Sequence, residues 1–282
     1  MPEKRMNEDI NFLKSEVRRL RKALSELTPS LPVMLKRRGF RIYKKEPSED
    51  LFVPEEKFID GYYEMLKKYS FRLFLRDVIK HQPLFTLAQV TRYATKQVTE
   101  EYIKYLEKAG MVIPQGDSYL MTKGPIKSFG ETLEWFIAQI FRREFYTDAV
   151  WGLKMKMRTI GGDYDLLAKI DGSILYMEIK SSPPKQIYQK EISAFFERVY
   201  DMMPEIAIFL VDTELRMKDK IVPMFEDELK VRFSNPQVVK RMERELFEIM
   251  NETERPKMFI INTKDSIINN IEKVLIKFFR KI

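Results

Sequence analysis

Asp165 and, thirteen positions later, Glu178 and Lys180 are the residues of this 282-residue chain whose types and spacing best suit chemistry. The segments Gly162 to Ala168 and Tyr176 to Ser182 read as short strands, and Gly172-Ser173 reads as the turn that joins them into a hairpin. Side chains alternate along a strand, so Glu178 and Lys180 share one face while Met177 and Ile179 take the other. Asp165 joins them from the neighbouring strand. Two carboxylates so placed can hold a hard divalent cation, with an amine beside the water that the cation polarises.

A helix must bring any third acid. Residues 128 to 141 carry Leu133, Phe136, Ile137, Ile140 and Phe141 at the spacing of one helical face. Ser128 and Glu131 fit a capping box, which makes Glu131 structural. Glu134 falls at the edge of the apolar stripe, about 100° from Leu133, and is the candidate third carboxylate.

Asp165 and Glu178-Ile179-Lys180 resemble the motif of the PD-(D/E)XK nuclease superfamily, the restriction-endonuclease-like fold that includes the archaeal Holliday junction resolvases. The similarity covers roughly residues 128 to 212. Gly130 and Glu134 have the Gly-then-Glu spacing common on the first core helix of that group. Tyr164 stands where the motif name has Pro. The resemblance implies a nuclease acting on DNA with Mg2+, Mn2+ substituting, and products ending in a 5′ phosphate and a 3′ hydroxyl. It implies Asp165 and Glu178 as metal ligands, the Ile179 carbonyl as a further one, and Glu134 bound directly or through water. Lys180 would then orient the attacking water and offset transition-state charge. Gln189, on the following helix, is a further candidate.

The plainer reading of these residues stays open. Glu178 and Lys180 also suit an ordinary pair on a solvated strand, and Asp163 and Asp165 suit an edge that discourages aggregation.

Around the motif the pattern is α/β. Pro183-Pro184 ends the motif strand, and the next helix sets Tyr188, Ile192, Phe195, Phe196, Val199 and Met203 on one face. Ile206 to Val211 is an unbroken apolar run, as expected for a strand covered on both sides, and Met258 to Ile261 repeats it. Leu153, Met155 and Met157 alternate with basic residues in a strand over 150–158. Residues 237–250 have helical period through Val238, Val239, Met242, Leu246 and Met250, and a terminal amphipathic helix runs from Ile267 to Phe279. A mixed central sheet flanked by helices is the simplest assembly.

Upstream, residues 53–125 read as a winged helix. Helices are expected through Phe71 to Val78, Thr86 to Tyr93 and Thr95 to Ala109, followed by a β-wing over Met111 to Met121. Lys96, Lys104 and Lys108 on the third helix are offset by Glu100, Glu101 and Glu107, so its charge suits packing as well as a DNA groove. In residues 1–30, Met6, Ile10, Leu13, Val17, Leu20, Leu24 and Leu27 step alternately by four and three, the seam of a coiled coil, and a homodimer is expected. Residues 31–52 read as a basic linker in which Lys36, Arg37, Arg38, Arg41, Lys44 and Lys45 interleave with Phe40 and Tyr43, a composition suited to a phosphate backbone. The expected organisation is therefore coiled-coil helix, linker, winged-helix domain, and nuclease-like domain over 126–282.

Composition excludes several classes. Cysteine is absent, which removes disulfides, thiolate catalysis and cysteine-ligated zinc or iron-sulfur sites. The lone histidine, His81, precludes multi-histidine metal sites and lies at the end of an expected helix, where a structural role is usual. No Walker loop or dinucleotide fingerprint is present, so no nucleotide cofactor is expected. A net charge of +8 suits a polyanionic partner, DNA. No signal peptide and no spanning apolar run are seen, and the expectation is a cytoplasmic protein without membrane association. The competing functional classes are a nuclease fold without catalysis, serving as a DNA-binding or assembly module, and a transcriptional regulator.

Overall fold

A computed structural model describes residues 9, 12–17, 19–20, 23, 29–156, 161–234, 238–250 and 256–280. At its centre is an eight-stranded mixed sheet in the order β1-β5-β6-β7-β8-β11-β10-β9. These strands are β1 (Arg41–Lys44), β5 (Ala149–Lys156), β6 (Gly161–Ile170), β7 (Ser173–Lys180), β8 (Ile206–Val211), β9 (Val238–Glu243), β10 (Leu246–Met250) and β11 (Lys257–Asn262). β7, β8 and β11 run parallel, and the outer strands pair antiparallel. All six residues of β8 are buried, because helices cover both faces of a parallel centre. Each fully buried Leu, Ile, Val or Phe there contributes about 1.5–3 kcal/mol.

One face carries α1 (Leu31–Arg37), α7 (Gln189–Met202) and α8 (Ile221–Arg232), through Leu35, Phe195, Val199 and Phe225. The other carries α6 (Gly130–Arg143) and α9 (Ile267–Arg280), through Leu133, Phe136, Ile271 and Val274. The same core continues into a helical unit made of α2 (Ile59–Leu66), α3 (Tyr69–Lys80), α4 (Leu87–Val90) and α5 (Lys96–Lys108). A small sheet, β2-β4-β3, completes that unit from β2 (Leu84–Thr86), β3 (Val112–Gln115) and β4 (Ser118–Met121). Thr95 caps α5 by accepting the Val98 N–H at 3.3 Å. His81 sits at the end of α3, its Nδ1 2.9 Å from the Asp77 carbonyl.

A buried ion pair ties the unit to the sheet. Asp212, directly after β8, receives Arg72 Nη2 at 2.8 Å and Arg72 Nε at 3.0 Å, and Arg76 Nη2 binds its other oxygen. Arg72 also donates to the Leu66 carbonyl at 2.7 Å. Burial opposes the charge on Asp212, but the two guanidinium groups outweigh it and hold the carboxyl below its usual range. The Asp212 N–H donates to the Lys180 carbonyl at 2.8 Å, so the ion pair is one hydrogen bond from the end of the motif strand.

β5 and β6 exchange faces midway. Ala149 and Trp151 pack with one core and Leu153 and Met155 with the other, although all four are odd-numbered. In β6 the exchange falls between Tyr164 and Leu166. The pivot is Gly152, at φ +56 between the pairs Trp151↔Leu166 and Leu153↔Tyr164, and so opposite Asp165. A Cβ there would collide with Pro47 Cδ. Gly152→Ala is therefore expected to destabilise the fold by roughly 2–3 kcal/mol, combining left-handed strain with overpacking. Thermal unfolding checks this, and an unchanged melting temperature would contradict it.

Three expectations are corrected. Residues 238–250 form the hairpin β9-β10, not a helix; Arg244 takes φ 42 in the turn, and Leu246 to Ile249 are buried against β11 and its helices. The expected linker contains α1 and the edge strand β1, which pairs with β5. The Ser128–Glu131 capping box is replaced by another arrangement, in which Ser128 Oγ accepts the Gly130 N–H at 3.2 Å and Glu131 accepts the Asp50 N–H at 2.9 Å. Of the expected heptad seam, Leu13, Val17 and Leu20 are helical and exposed, while Met6, Ile10, Leu24 and Leu27 lie outside the described residues. Among the described residues no helix is long and apolar enough to cross a membrane.

Candidate active site

The centre of the site is a gap in the sheet. β6 and β7 pair from Ile170↔Ser173 up to Leu166↔Met177 and then part. Asp165 fills the break: its Oδ2 accepts the Ile179 N–H at 2.7 Å, doing with a side chain what a ladder carbonyl would have done. Glu178 is only 2% exposed and lies on the α7 face. Its Oε1 receives Lys180 Nζ at 2.8 Å, and its Oε2 receives Arg198 Nη1 at 2.9 Å and the Tyr176 hydroxyl. Lys180 also reaches Glu191 at 3.3 Å.

Glu134 comes from the opposite face. It lies one turn into α6, with Oε2 3.6 Å from the position a Cβ would occupy at Gly152. Burial, and after it the charge of Asp165, push the Glu134 carboxyl well above its usual range. Burial and the Glu178 charge push Asp165 up to about 7, against the opposing pull of Lys180 and the Ile179 N–H. Burial works against charge on Lys180, but Glu178 and Asp165 reverse that and raise its pKa. Burial likewise opposes the Arg198 charge, and Glu178, Tyr176 and Asp165 together outweigh it, raising that group too. The arrangement thus disfavours the charged forms of Asp165 and Glu134, whereas the Glu178 carboxylate is paired with two cations. Among the described residues no group of three or more acidic or histidine side chains is disposed to hold a metal ion as it stands.

Of the residues singled out in the sequence, Asp165, Glu178, Ile179 and Lys180 meet at the gap, and Glu134 approaches it from α6. Gln189 does not: its amide donates to Glu228 at 2.8 Å and to the Met224 carbonyl at 3.1 Å, facing α8. Arg198, Tyr176 and Glu191 take part and were not anticipated. Glu191 and Arg198 are seven apart, two turns along α7, at the margin of its apolar stripe, the same signal that distinguishes Glu134 on α6.

The basic segment divides. Arg38 is committed inside the protein, donating to the Met203 carbonyl at 2.7 Å and pairing with Glu205 at 2.6 Å, where it satisfies the end of α7. Phe40 is buried and meets Tyr164 edge-on at 6.2 Å, so it is closed to base stacking. Lys44 pairs with Glu49 at 2.9 Å. Lys36, Arg37, Arg41 and Lys45 are exposed, as is Tyr43.

No family model matches the chain, and neither does any curated protein sequence. The likenesses found are structural. Over 64% of its length, at 15% identity and a TM-score of 0.40, the chain is similar to Can2 from Sulfobacillus thermosulfidooxidans, whose structure is a complex with cyclic tetra-adenylate. Over 68% of its length, at 13% identity and a TM-score of 0.42, it is similar to protein VC1899 from Vibrio cholerae. It covers 50% and 54% of those chains, about half of each. At such TM-scores neither likeness assigns a family or an activity.

Proposed function

We propose that the chain is a metal-dependent nuclease that hydrolyses DNA phosphodiester bonds, as an endonuclease, at the gap between β6 and β7. The observation that carries this reading is the break in the sheet filled by Asp165, with Glu178 and Lys180 on one side and Glu134 on the other. Repulsion among buried carboxylates fits a cation: the Asp165 charge raises the cost of ionising Glu134, the Glu178 charge raises that of Asp165, and oxygen donors suit Mg2+ or Mn2+. Asp165, Glu178, Glu134 and the Ile179 carbonyl would hold the ion. When bound, it supplies Lewis-acid polarisation of the phosphoryl oxygen and acidifies a water. Lys180 orients that water and Arg198 offsets charge accumulating on the phosphoryl oxygens, both held in place by Glu178.

The accessory parts extend this proposal. The unit over 53–125 acts as a winged helix beside the DNA, exposed Lys36, Arg37, Arg41 and Lys45 lie along its backbone, and the amino-terminal helix pairs two copies into a homodimer.

A second reading has an observation in its favour. Glu178 has both oxygens occupied by Tyr176, Lys180 and Arg198, which suits a buried network that holds the strands in place without catalysis, in an assembly or DNA-binding module. Thermal-shift titration separates the two. The nuclease reading expects Mg2+ and Mn2+ to raise the melting temperature, by about 2.7 kcal/mol of stabilisation at a hundredfold excess over Kd, and Glu178→Ala to abolish the rise. No response in the intact chain would favour the structural network.

A further inference from the structure

A cavity of about 370 Å³ opens between the helical unit and the sheet, at the carboxyl end of α3 and the amino end of α6. Arg76, Lys80 and Lys127 line it together with Ser128, Phe129 and Ser181. Among the described residues none of those lining it is acidic. Arg72 and Arg76 share the single carboxylate of Asp212, which leaves one net positive charge in that buried cluster. The Arg76 guanidinium lies over the Phe129 ring at 5.6 Å, and its Nε is buried without a hydrogen-bond partner. Lys80 and Lys127 are exposed at the rim, where Lys127 Nζ lies 3.9 Å from Asp50 Oδ2, a loose pair that an incoming anion competes for. Three cations and two hydroxyl groups make this wall a donor surface for an anion.

Its position ties it to the gap. Ser181 directly follows Lys180, so cavity and amine lie at the end of one strand. Glu134 follows Gly130 by four residues, about 6 Å along α6 from the helix end that borders the cavity.

We propose that the cavity holds a backbone phosphate of the DNA strand whose neighbouring phosphodiester lies at Asp165 and Lys180, so that the helical unit and the sheet clamp the substrate jointly. The inference rests on the nuclease reading for its substrate, but it concerns binding and not chemistry.

Fluorescence anisotropy with a labelled duplex oligonucleotide, in EDTA and across a salt series, tests it on the full chain. The variants are Lys80→Gln combined with Lys127→Gln, both outside the catalytic set, and Lys230→Gln on α8 as a control. The double variant is expected to flatten the dependence of log affinity on log salt by about 0.9, the one phosphate that the cavity holds, and the control to leave it unchanged. An unchanged slope in the double variant overturns the proposal, as does a wild-type chain that binds no DNA. Because the assay needs no turnover, tight lysine-dependent binding without cleavage would sink the nuclease reading alone. Cleavage with an unchanged slope would sink the clamp alone.

Discussion

Asp165→Asn is expected to lower metal-dependent DNA cleavage by roughly 10²–10³-fold while leaving the fold intact, the scale of losing one preorganised charge at a reacting centre. The amide keeps the shape of the carboxylate, and its oxygen can still accept the Ile179 N–H that bridges the gap between β6 and β7. What it loses is the charge that would hold a cation. The substitution also removes repulsion toward Glu134 and Glu178, so the metal-free melting temperature should hold or rise. Glu178 is a less clean target, because its removal leaves Lys180 and Arg198 without their shared acid. Cleavage kinetics and thermal unfolding measured together decide the matter. Activity within a few-fold of the parent would show that Asp165 is a ladder substitute and nothing more.

Arg72→Met is expected to destabilise the protein by about 3–5 kcal/mol, the usual effect of breaking a buried pair from one side. Asp212 and Arg72 are 0% and 1% exposed, so water cannot replace the lost partner, and Arg76 alone compensates in part. The Leu66 carbonyl loses its donor as well. The folded carboxyl titrates below its unfolded counterpart, so its contribution is fully present above about pH 4 and disappears as pH falls through the lower, folded value. In Arg72→Met that depression shrinks, and the acid-induced loss of stability attributable to Asp212 becomes smaller. Denaturant unfolding of both proteins between pH 2 and 7 measures this. Equal stability at pH 7, or an identical acid slope, would contradict the role given to the pair.

Local pattern made part of this structure readable from sequence. β8 and β11 announce themselves as uninterrupted apolar runs because both faces of a parallel strand are covered. Glu178 and Lys180 share a face for the equally local reason that strands alternate. The hairpin β9-β10 escaped because Val238, Met242, Leu246 and Met250 satisfy a helical period by coincidence, while pairing with β11 decides their conformation. Arg38 looked like a free cation because its carboxylate partner lies 167 positions away. Helix phase explains Gln189 and Arg198 together: Gln189 lies on the side of α7 that meets α8, and Arg198 on the side that meets Glu178. Which flank of an apolar stripe faces a site is a tertiary fact, and only the stripe itself is written in the sequence.

The most direct measurement incubates the full chain with supercoiled plasmid, single-stranded and branched DNA, in Mn2+ and in EDTA. The hydrolytic reading predicts cut products ending in 5′ phosphate and 3′ hydroxyl with Mn2+, none with EDTA, and none from Glu178→Ala. DNA left whole in every lane containing Mn2+, by a protein that is folded and binds it, would contradict that reading and leave Glu178, Lys180 and Arg198 as a structural ion-pair network.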